Sequence, residues 1–564
     1  MIKDKIKILK KKFKEFGIDG YIIPKNDEYF SDYAKNDRLR NISNFSGSAG
    51  IAVILEKNNY LFVDGRYSIQ AQQESAKNFK IIEIHKKLPS NIIKNYNLGY
   101  DPKLFTSKNI KNYFSNNNLV SINDNLVDQM FKFREKNTKP FYSLKKNIVG
   151  ETHQSKISKV SNFLRSNSAD YLFVSAPENV AWLLNIRGHD NPNSPIPNAR
   201  LIIDKNKNLF LITQKNYVKK IVKEKKINKN QVIDIKDISK LINNLNGINF
   251  IIDNKTCSIF HEDMIKSKFK ILDNDDPIYK LKSIKNSFEI NHIIEAHKKD
   301  GLALTKFIYW IKNINKKTIT EVYAQNKLEK FRKLNKDYLF PSFNTIAGSG
   351  SNGAIVHYRA TTKTTKKINK KDVFLVDSGG QYRYGTTDVT RTICFHNQNQ
   401  SIKNAYTNVL KGHIAVVLTD LKKDNTGKKI DIRARKFLKK EGLDYAHGTG
   451  HGVGFFLNVH EGPQSISRYN TVKIEKGMVL SNEPGYYKKN HYGIRIENLV
   501  YAKQFKNRLF FKNLTLAPIE KDLINYKLLN KTEKNYLFKY HLSIYSEHSA
   551  SLNKKERKWL ATLI

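Results

Sequence analysis

Apolar and polar positions in the first 145 residues follow the patterns of alternating helices and strands. Apolar runs at 20–25 and 50–66 predict strands, and polar residues at 57–59 predict a hairpin turn within the second run. Residues 68–79 predict a helix between strands. We therefore expect an α/β domain over residues 1–145. Its N-terminal helix is predicted from one apolar face, formed by Ile6, Ile8, Leu9 and Phe13.

A second alternation of helix and strand patterns covers residues 146–285. A helix is predicted at 151–167 and a buried strand at 171–176. Two apolar runs within 199–213 predict a hairpin, and a further strand is predicted at 249–254. This alternation indicates a second α/β domain with a mixed sheet.

The rest of the chain is expected to form a third domain, 286–505, followed by a final segment, 506–564. Residues 287–313 have the periodicity of a long amphipathic helix, and hairpin-like strand patterns follow it. The final segment is rich in helical patterns. Because about 60 residues form only a marginal core by themselves, we expect this segment to pack on the third domain.

The composition is that of a globular protein, with 40% hydrophobic and 11% aromatic residues among 564. No stretch of about 18 or more apolar residues occurs, so no membrane-spanning helix is predicted. The lysine-rich N-terminus lacks the apolar segment of a signal peptide. Two cysteines, Cys257 and Cys394, are too few for a disulfide scaffold. These features predict a cytoplasmic protein with no membrane partner.

The formal net charge of +47 raises the question of nucleic-acid binding. The excess is mostly lysine, spread along the whole chain rather than gathered in one patch. Segments such as 363–372 have the composition of solvated loops. We therefore expect no nucleic-acid partner.

Candidate chemistry begins in residues 373–393, where 373–378 predict a strand and 386–393 a returning strand. This hairpin allows Asp377 and Asp388 to lie side by side. Two adjacent carboxylates repel each other, and a bound metal ion removes that repulsion. Such a pair is weak support by itself, because turn caps and solvated edges have the same pattern.

The glycine-rich segment 447–463 contains His447, His451 and His460. Its glycines oppose a regular helix and predict a loop whose backbone approaches another group closely. Histidine supplies a nitrogen ligand for a metal ion, or moves a proton near neutral pH. A lone histidine is usually structural, but three in one such loop favour a functional site.

Two further carboxylates follow this loop. Glu483 ends the apolar strand 477–483, where a buried glutamate is costly unless it is paired or bound to a metal ion. Arg495 and Glu497 alternate with isoleucines and are predicted to share one strand face. An ion pair between Arg495 and a carboxylate is the structural alternative, and it is compatible with metal binding.

The combined set offers four carboxylates and one imidazole, from Asp377, Asp388, His451, Glu483 and Glu497. Oxygen-rich ligation with one nitrogen suits two divalent ions, Mn²⁺ first, with Co²⁺, Fe²⁺ or Zn²⁺ as alternatives. Four negative charges offset the charge of two such ions. Two ions about 3.5–4 Å apart can share a hydroxide and polarise a carbonyl, which favours a hydrolase.

Several segments resemble the Xaa-Pro aminopeptidase (aminopeptidase P) family of metallopeptidases with the pita-bread fold. The matching motifs are at 349–360, 377–392, 447–454, 458–463, 481–487 and 493–498. Residues 38–67, 181–195 and 513–524 also match, so the resemblance covers nearly the whole chain. It implies two creatinase-like N-terminal α/β domains, 1–145 and 146–285. A pita-bread (α+β) catalytic domain, 286–505, and a C-terminal extension packed on it, 506–564, would follow.

The resemblance also implies a role for each matching site residue. Asp377 and Asp388 would ligate one metal ion, with Asp388 bridging to the second. His451 and Glu483 would complete the second site, and Glu497 would bridge both ions. Substrate binding and proton movement would involve His357, His447 and His460, with Arg495 holding Glu497 at the border of the substrate site and Tyr487 in a proline pocket.

The implied reaction removes the residue before proline from peptides with proline in second position. A hydroxide bridging two divalent metal ions would attack the scissile carbonyl, with His357 or His460 stabilising the oxyanion. Glu483 would take the proton of the hydroxide and pass it to the leaving nitrogen. The family's usual assembly is a homodimer.

Two other functions are compatible with the same ligands. A prolidase, which cleaves X–Pro dipeptides, would share all five, but the second N-terminal domain and the C-terminal extension argue against it. A non-catalytic binding protein on the same fold would be expected to have lost ligands, whereas all five are present here.

Overall fold

The computed structural model describes the residues 1–34, 36–131, 139–314 and 319–564. They form two compact units, Met1–Tyr279 and Lys280–Ile564. Both units contain helices and strands, as the predicted α/β class requires. In the described part of the chain, no helix combines the length and the apolar character needed to cross a membrane.

The N-terminal half of the first unit contains a six-stranded sheet made of β1 (Gly20–Pro24), β2 (Ile51–Leu55), β3 (Asn59–Val63), β4 (Lys80–Glu83), β5 (Asn97–Tyr100) and β6 (Asn118–Ser121). The strands are arranged in the order β4-β3-β2-β1-β5-β6, and β2 and β3 form the predicted hairpin. Tyr21 and Ile23 belong to one apolar cluster, whereas Ile22 and Val53 belong to another. Because neighbouring strand residues face opposite sides, this sheet is buried on both faces.

Helices of this half are α1 (Ile2–Lys11), α2 (Arg38–Ser43), α3 (Ser68–Ser75), α4 (Pro89–Ile92) and α5 (Ser107–Phe114). The predicted N-terminal helix is confirmed, and Ile6, Leu9 and Phe13 are buried. The prediction is wrong for Ile8, whose side chain is 50% exposed. Spacings of three and four residues share a helix face, whereas Ile8 lies two positions from Ile6 and points away.

The second half of this unit has the strands β7 (Tyr142–Ser143), β8 (Tyr171–Val174), β9 (Ile186–Arg187), β10 (Arg200–Asp204), β11 (Leu209–Ile212), β12 (Val232–Ile233), β13 (Asn249–Ile252) and β14 (Lys270–Asp273). Six of them form a sheet in the order β12-β11-β10-β8-β13-β14. The central strand β8 pairs antiparallel with β10 and parallel with β13, which confirms the predicted mixed sheet. The helices are α6 (Lys146–Val149), α7 (His153–Ser166), α8 (Pro177–Leu183), α9 (Lys219–Lys223), α10 (Ile238–Asn244) and α11 (Ile259–Lys266). The next helix, α12 (Pro277–Ser283), begins in the first unit and ends in the second.

The first helix that lies wholly in the second unit is the predicted long helix, α13 (Ser287–Asn313). Its N-cap, Asn286, accepts hydrogen bonds from Phe288 and Glu289, and the Glu289 carboxylate accepts the Asn286 N–H. This capping box fixes the first turn. The other helices of the unit are α14 (Glu321–Lys333), α15 (Gln400–Val417), α16 (Gly427–Lys440), α17 (Lys531–His548) and α18 (Lys554–Ala561).

The strands of the second unit are β15 (Tyr338–Pro341), β16 (Ile346–Ser349), β17 (Phe374–Ser378), β18 (Gly380–Tyr382), β19 (Gly385–Thr386), β20 (Val389–Ile393), β21 (Gly450–Gly452), β22 (Glu461–Ile466), β23 (Val479–Asn482), β24 (Gly485–Lys488), β25 (Tyr492–Arg495), β26 (Asn498–Phe505) and β27 (Arg508–Asn513). Their main sheets have the orders β16-β17-β20 and β22-β21-β23-β26-β27. Smaller sheets are β15-β18-β19 and β24-β25.

The predicted hairpin at 373–393 is interrupted in the structure. β17 pairs with β20, but β18 and β19 between them form a separate small hairpin that pairs with β15. At Gly379 a Cβ atom would lie 2.0 Å from the Thr387 carbonyl oxygen. The backbone segments at 379 and 387 can therefore approach this closely only because residue 379 is glycine. Asp388 therefore lies just before β20 rather than within a continuous strand.

The final segment begins with β27, which pairs with β26 along its whole length. Beyond this strand, Ile519, Tyr540 and Ile544 are buried in the same cluster as Tyr406 and Ile494. The segment thus shares a strand pairing and an apolar core with the rest of the second unit.

Candidate metal centre

The two main sheets of the second unit bring five sequence-predicted residues together. Asp377 lies in β17, Asp388 directly precedes β20, and His451 is the middle residue of β21. Glu483 follows β23, and Glu497 precedes β26. Three of these positions differ from prediction. Asp388 lies before its strand rather than within it, His451 lies in a short strand rather than a loop, and Glu497 lies outside the strand that contains Arg495.

Three of these side chains, those of Asp388, His451 and Glu497, bring potential ligand atoms together. One potential ligand atom from each lies within 4.8 Å of the others. The Nε2 atom of His451 is 3.4 Å from the Asp388 carboxylate and 3.5 Å from that of Glu483. The opposite ring atom, Nδ1, lies 2.9 Å from the Gly452 carbonyl oxygen, so it carries the proton and leaves Nε2 as a free donor of electrons.

The carboxylates of this group strongly perturb one another. Burial raises the pKa of Asp388 well above its usual range, and the charges of Asp377 and Glu483 raise it further. Burial likewise raises the pKa of Glu497, and the charges of Asp388 and Glu483 add to the effect. The surrounding protein groups therefore stabilise the charged form of these carboxylates poorly. A divalent cation bound between them would stabilise that charged form.

The Asp377 carboxylate provides an independent indication of a cation site. Its Oδ2 atom accepts a hydrogen bond of 2.7 Å from Arg495. Its Oδ1 atom is buried and has no hydrogen-bond partner among the described residues. A buried carboxylate oxygen without a partner is expensive, and ligation to a metal ion would satisfy it. The donor set thus fits the two divalent ions predicted from the sequence.

Arg495 differs from its predicted role. It forms an ion pair with Asp377, not with Glu497. Its Nε atom donates to the Thr390 hydroxyl at 3.0 Å, and Thr390 donates to Glu497 at 2.8 Å. A chain of two hydrogen bonds through Thr390, to which the sequence assigned no role, therefore connects Arg495 to Glu497. Thr390 is the strand partner of Asp377. The available sequence signal was its position two residues after Asp388 in a predicted strand.

Two further residues that contact the candidate ligands were also missed. The Ser481 hydroxyl accepts the His451 backbone N–H at 2.9 Å and donates to Glu483 at 3.0 Å. The buried Arg391 donates to the Glu497 carbonyl oxygen at 2.6 Å. Each holds a ligand through backbone or hydroxyl contacts, which leave no distinctive sequence pattern.

Tyr487 joins His447 to Arg495. Nη1 of Arg495 donates to the Tyr487 hydroxyl at 2.6 Å, and that hydroxyl lies 2.9 Å from His447 Nε2. Because Nδ1 of His447 donates to the Gly448 carbonyl at 2.7 Å, Nε2 must accept, and Tyr487 is the donor. Burial raises the pKa of Tyr487 to about 12, so this proton stays on the hydroxyl near neutral pH.

The remaining predicted histidines lie at different depths. The ring of His460 is 4.4 Å from that of His451, centroid to centroid, and its side chain is exposed. His357 is half-buried and follows the short helical turn Gly350–Ala354. Exposure gives His460 the access that a substrate-binding group needs.

A second group of potential metal ligands in the described residues consists of Cys394, Glu520 and Asp522. The Lys312 ammonium already lies 2.7 Å from Glu520 and 2.8 Å from Asp522. Burial raises the pKa of the Cys394 thiol, which disfavours the thiolate that metal ions bind. A protein cation thus neutralises this group, and we do not treat it as a metal site.

Comparison with known families divides the chain into four matching regions. Residues 291–504 match metallopeptidase family M24, and residues 507–563 match the C-terminal region of that peptidase. Residues 5–130 and 133–289 each match a creatinase/prolidase N-terminal domain.

Individual relatives match over the full chain. Xaa-Pro aminopeptidase 1 of Dictyostelium discoideum is 36% identical over 96% of this chain and 92% of its own length. Aminopeptidase P2 of Arabidopsis thaliana is 33% identical over 99% of this chain and 88% of its own.

Among solved structures, one neighbour matches the whole chain and another matches about two thirds of it. The X-prolyl aminopeptidase of Caenorhabditis elegans, described as a cytosolic enzyme with a di-nuclear active site, is 28% identical with a TM-score of 0.92, covering 100% of this chain and 99% of its own. The prolidase of Pyrococcus furiosus is 27% identical with a TM-score of 0.51, covering 63% of this chain and 98% of its own.

Proposed function

Because this chain belongs to the Xaa-Pro aminopeptidases of metallopeptidase family M24, we propose that it hydrolyses the bond between any N-terminal residue and a following proline with the help of two divalent metal ions. The observation that carries the two-ion proposal is the group of Asp388, His451 and Glu497, whose ligand atoms lie within 4.8 Å of one another. The raised pKa values of its two carboxylates support a cationic partner.

Asp377 and Asp388 would hold one ion, and His451 and Glu483 the other, with Asp388 and Glu497 shared. When bound, the two ions would supply Lewis acidity for the scissile carbonyl and lower the pKa of a shared water. Mn²⁺ suits a set of four carboxylates and one imidazole, and Co²⁺, Fe²⁺ and Zn²⁺ remain alternatives.

Glu483 is our candidate for the group that accepts and passes on a proton. Its side chain is 18% exposed, compared with 7% for Asp388, so it has the better access to substrate. The Ser481 hydroxyl fixes one of its oxygens. A general base needs both a fixed position and contact with the reacting group.

The histidines would act on the substrate. His460 or His357 would donate a hydrogen bond to the developing oxyanion, which is the largest single contribution in many peptidases. His447, held by Tyr487, would bind substrate and exchange protons. Tyr487 and Arg495 would border the pocket for proline, whose nitrogen lacks a hydrogen and whose ring needs room.

We also propose a cytoplasmic location and a homodimer. Two buried free cysteines support a reducing compartment. The nematode neighbour, described as cytosolic, supports the same location.

Activity on paired substrates would test the function. An X-Pro-Y tripeptide should be cleaved after its first residue, whereas an X-Pro dipeptide should be cleaved poorly. Cleavage of the dipeptide alone would make the protein a prolidase. Cleavage of an X-Ala-Y peptide at the same rate would refute the requirement for proline.

Chelation and metal replacement would test the two-ion site. Activity should disappear with a chelator and return with Mn²⁺, at about two ions bound per chain. Asp388→Ala should abolish turnover, whereas Asp424→Ala, a control at an exposed ion pair with Arg433, should not. Unchanged turnover in Asp388→Ala would overturn the assignment.

A further inference from the structure

Arg435 donates three hydrogen bonds to the loop that carries His447 and one to Asp431 on its own helix. This buried arginine lies on α16. Nη2 donates to the His447 carbonyl oxygen at 2.6 Å. Nη1 donates to the Tyr445 carbonyl at 2.8 Å and to Asp444 at 2.6 Å. The guanidinium carbon lies 3.8 Å from the centre of the Tyr445 ring, so the loop is held by stacking as well.

Asp431, one helical turn before Arg435, contacts both Arg435 and the end of the same loop. It accepts the Arg435 Nε–H at 2.8 Å, and its other oxygen accepts the Thr449 hydroxyl at 2.6 Å. The Thr449 carbonyl in turn accepts the backbone N–H of Glu483 at 2.8 Å. The buried ion pair of Arg435 and Asp431 thus contacts both ends of the loop 444–449.

Arg435 contacts two backbone oxygens and the side chains of Asp431, Asp444 and Tyr445, none of which is a proposed metal ligand. We therefore expect any effect of Arg435 on the reaction to act through the loop. The centre of the Tyr445 ring lies 4.9 Å from that of the His447 ring, with the two planes tilted by 39°. The Tyr445 ring therefore lies between the guanidinium and the imidazole, and contacts both. A planar guanidinium satisfies several acceptors at fixed angles, whereas a lysine ammonium offers only a point charge.

We propose that Arg435, together with Asp431, is a positioning residue that fixes His447 against Tyr487. A role confined to fold stability is the alternative. The kinetic part of this inference rests on the proposed function, whereas the structural part does not.

Hydrogen exchange of the intact protein tests the structural part. In Arg435→Lys, amides of residues 444–449 should exchange about tenfold faster or more, because the fork that holds three acceptors is lost. Arg433→Lys, two positions earlier on the same helix at an exposed ion pair, should leave this exchange unchanged. Unaltered exchange in Arg435→Lys would overturn the proposal, whether or not the protein cleaves X-Pro peptides.

Kinetics on an X-Pro-Y peptide, normalised to bound metal, test the link to His447. Arg435→Lys should lower kcat/KM about tenfold in the wild-type background. In a His447→Ala background the same change should lower kcat/KM by less than about twofold, because the imidazole that Arg435 positions has already been removed. An equal loss in both backgrounds would overturn the proposal. If the wild-type protein cleaves no X-Pro peptide, the proposed function fails, and the exchange experiment alone decides the positioning role.

Discussion

Replacing Asp388 with asparagine should stabilise the metal-free protein and remove most of its stabilisation by metal. Its carboxylate lies within 4.8 Å of a Glu497 oxygen, where two unit charges repel by about 3.5 kcal/mol at an effective dielectric constant of about 20. Protonation and the nearby Arg495 relieve part of this repulsion. We therefore expect the free energy of unfolding of the metal-free protein to rise by about 1–3 kcal/mol at pH 7.5.

The pH dependence has a definite sign. Burial raises the folded-state pKa of Asp388 and Glu497 above the unfolded value. The folded metal-free state then binds more protons than the unfolded state, so its stability falls as the pH rises from about 4 toward the folded pKa values. Asp388→Asn should weaken this fall. With metal, the wild-type protein should be more stable than Asp388→Asn. An ion present at about 100 times its Kd adds about 2.7 kcal/mol to the free energy of unfolding of the protein with an intact site.

The assay can report the second unit alone. Of three tryptophans, Trp182 lies in the first unit, and Trp310 and Trp559 lie in the second. In a Trp182→Phe background, guanidinium denaturation followed by fluorescence would measure the second unit with a chelator or with Mn²⁺. Asp424→Asn, at an exposed ion pair, is the matched control. A loss of stability in metal-free Asp388→Asn equal to the loss with metal would refute the repulsion argument.

Three further predictions concern other parts of the chain. Glu461→Gln should destabilise the protein by about 3–5 kcal/mol in chemical denaturation, because it leaves the buried Lys285 without its counter-charge, whereas Glu475→Gln at an exposed pair should have little effect. Burial lowers the pKa of His413 to about 3, so stability that is complete above about pH 6.5 should be lost as the pH falls toward 3, and His413→Gln should show a shallower loss in urea titrations at several pH values. Sedimentation equilibrium should give twice the monomer mass, and a single-chain mass would contradict the proposed homodimer.

Secondary structure was predictable wherever burial follows a simple period. The runs at β8 and β13 are buried, and α13 follows the predicted 287–313. Predictions of secondary structure were wrong where pairing between segments distant in sequence overrides the local pattern of apolar residues. The strand expected at 386–393 is broken because the small hairpin of β18 and β19 pairs with β15, which is distant in sequence.

The proposed ligands could be selected from the sequence because metal chemistry restricts residue type, and motif order supplied their grouping. The residues that contact these proposed ligands could not be selected in this way. Which carboxylate receives the Arg495 guanidinium depends on the register that sets Asp377 opposite Thr390. A threonine in a strand has many possible partners, so only the folded pairing shows that Thr390 links Arg495 to Glu497.

The final segment, which the sequence predicts to pack on the third domain, also contacts residues beside the proposed metal centre. Arg391 is buried and donates to the carbonyl oxygens of Ala517 and Pro518 in that segment, as well as to the hydroxyl of Tyr540. The same guanidinium donates to the carbonyl of Glu497, beside the metal centre. Removing the segment would leave a buried cation with unmet hydrogen bonds next to a proposed ligand, which costs far more than the loss of exposed contacts. The C-terminal residues are therefore a structural part of the metal centre, although none of them would touch an ion.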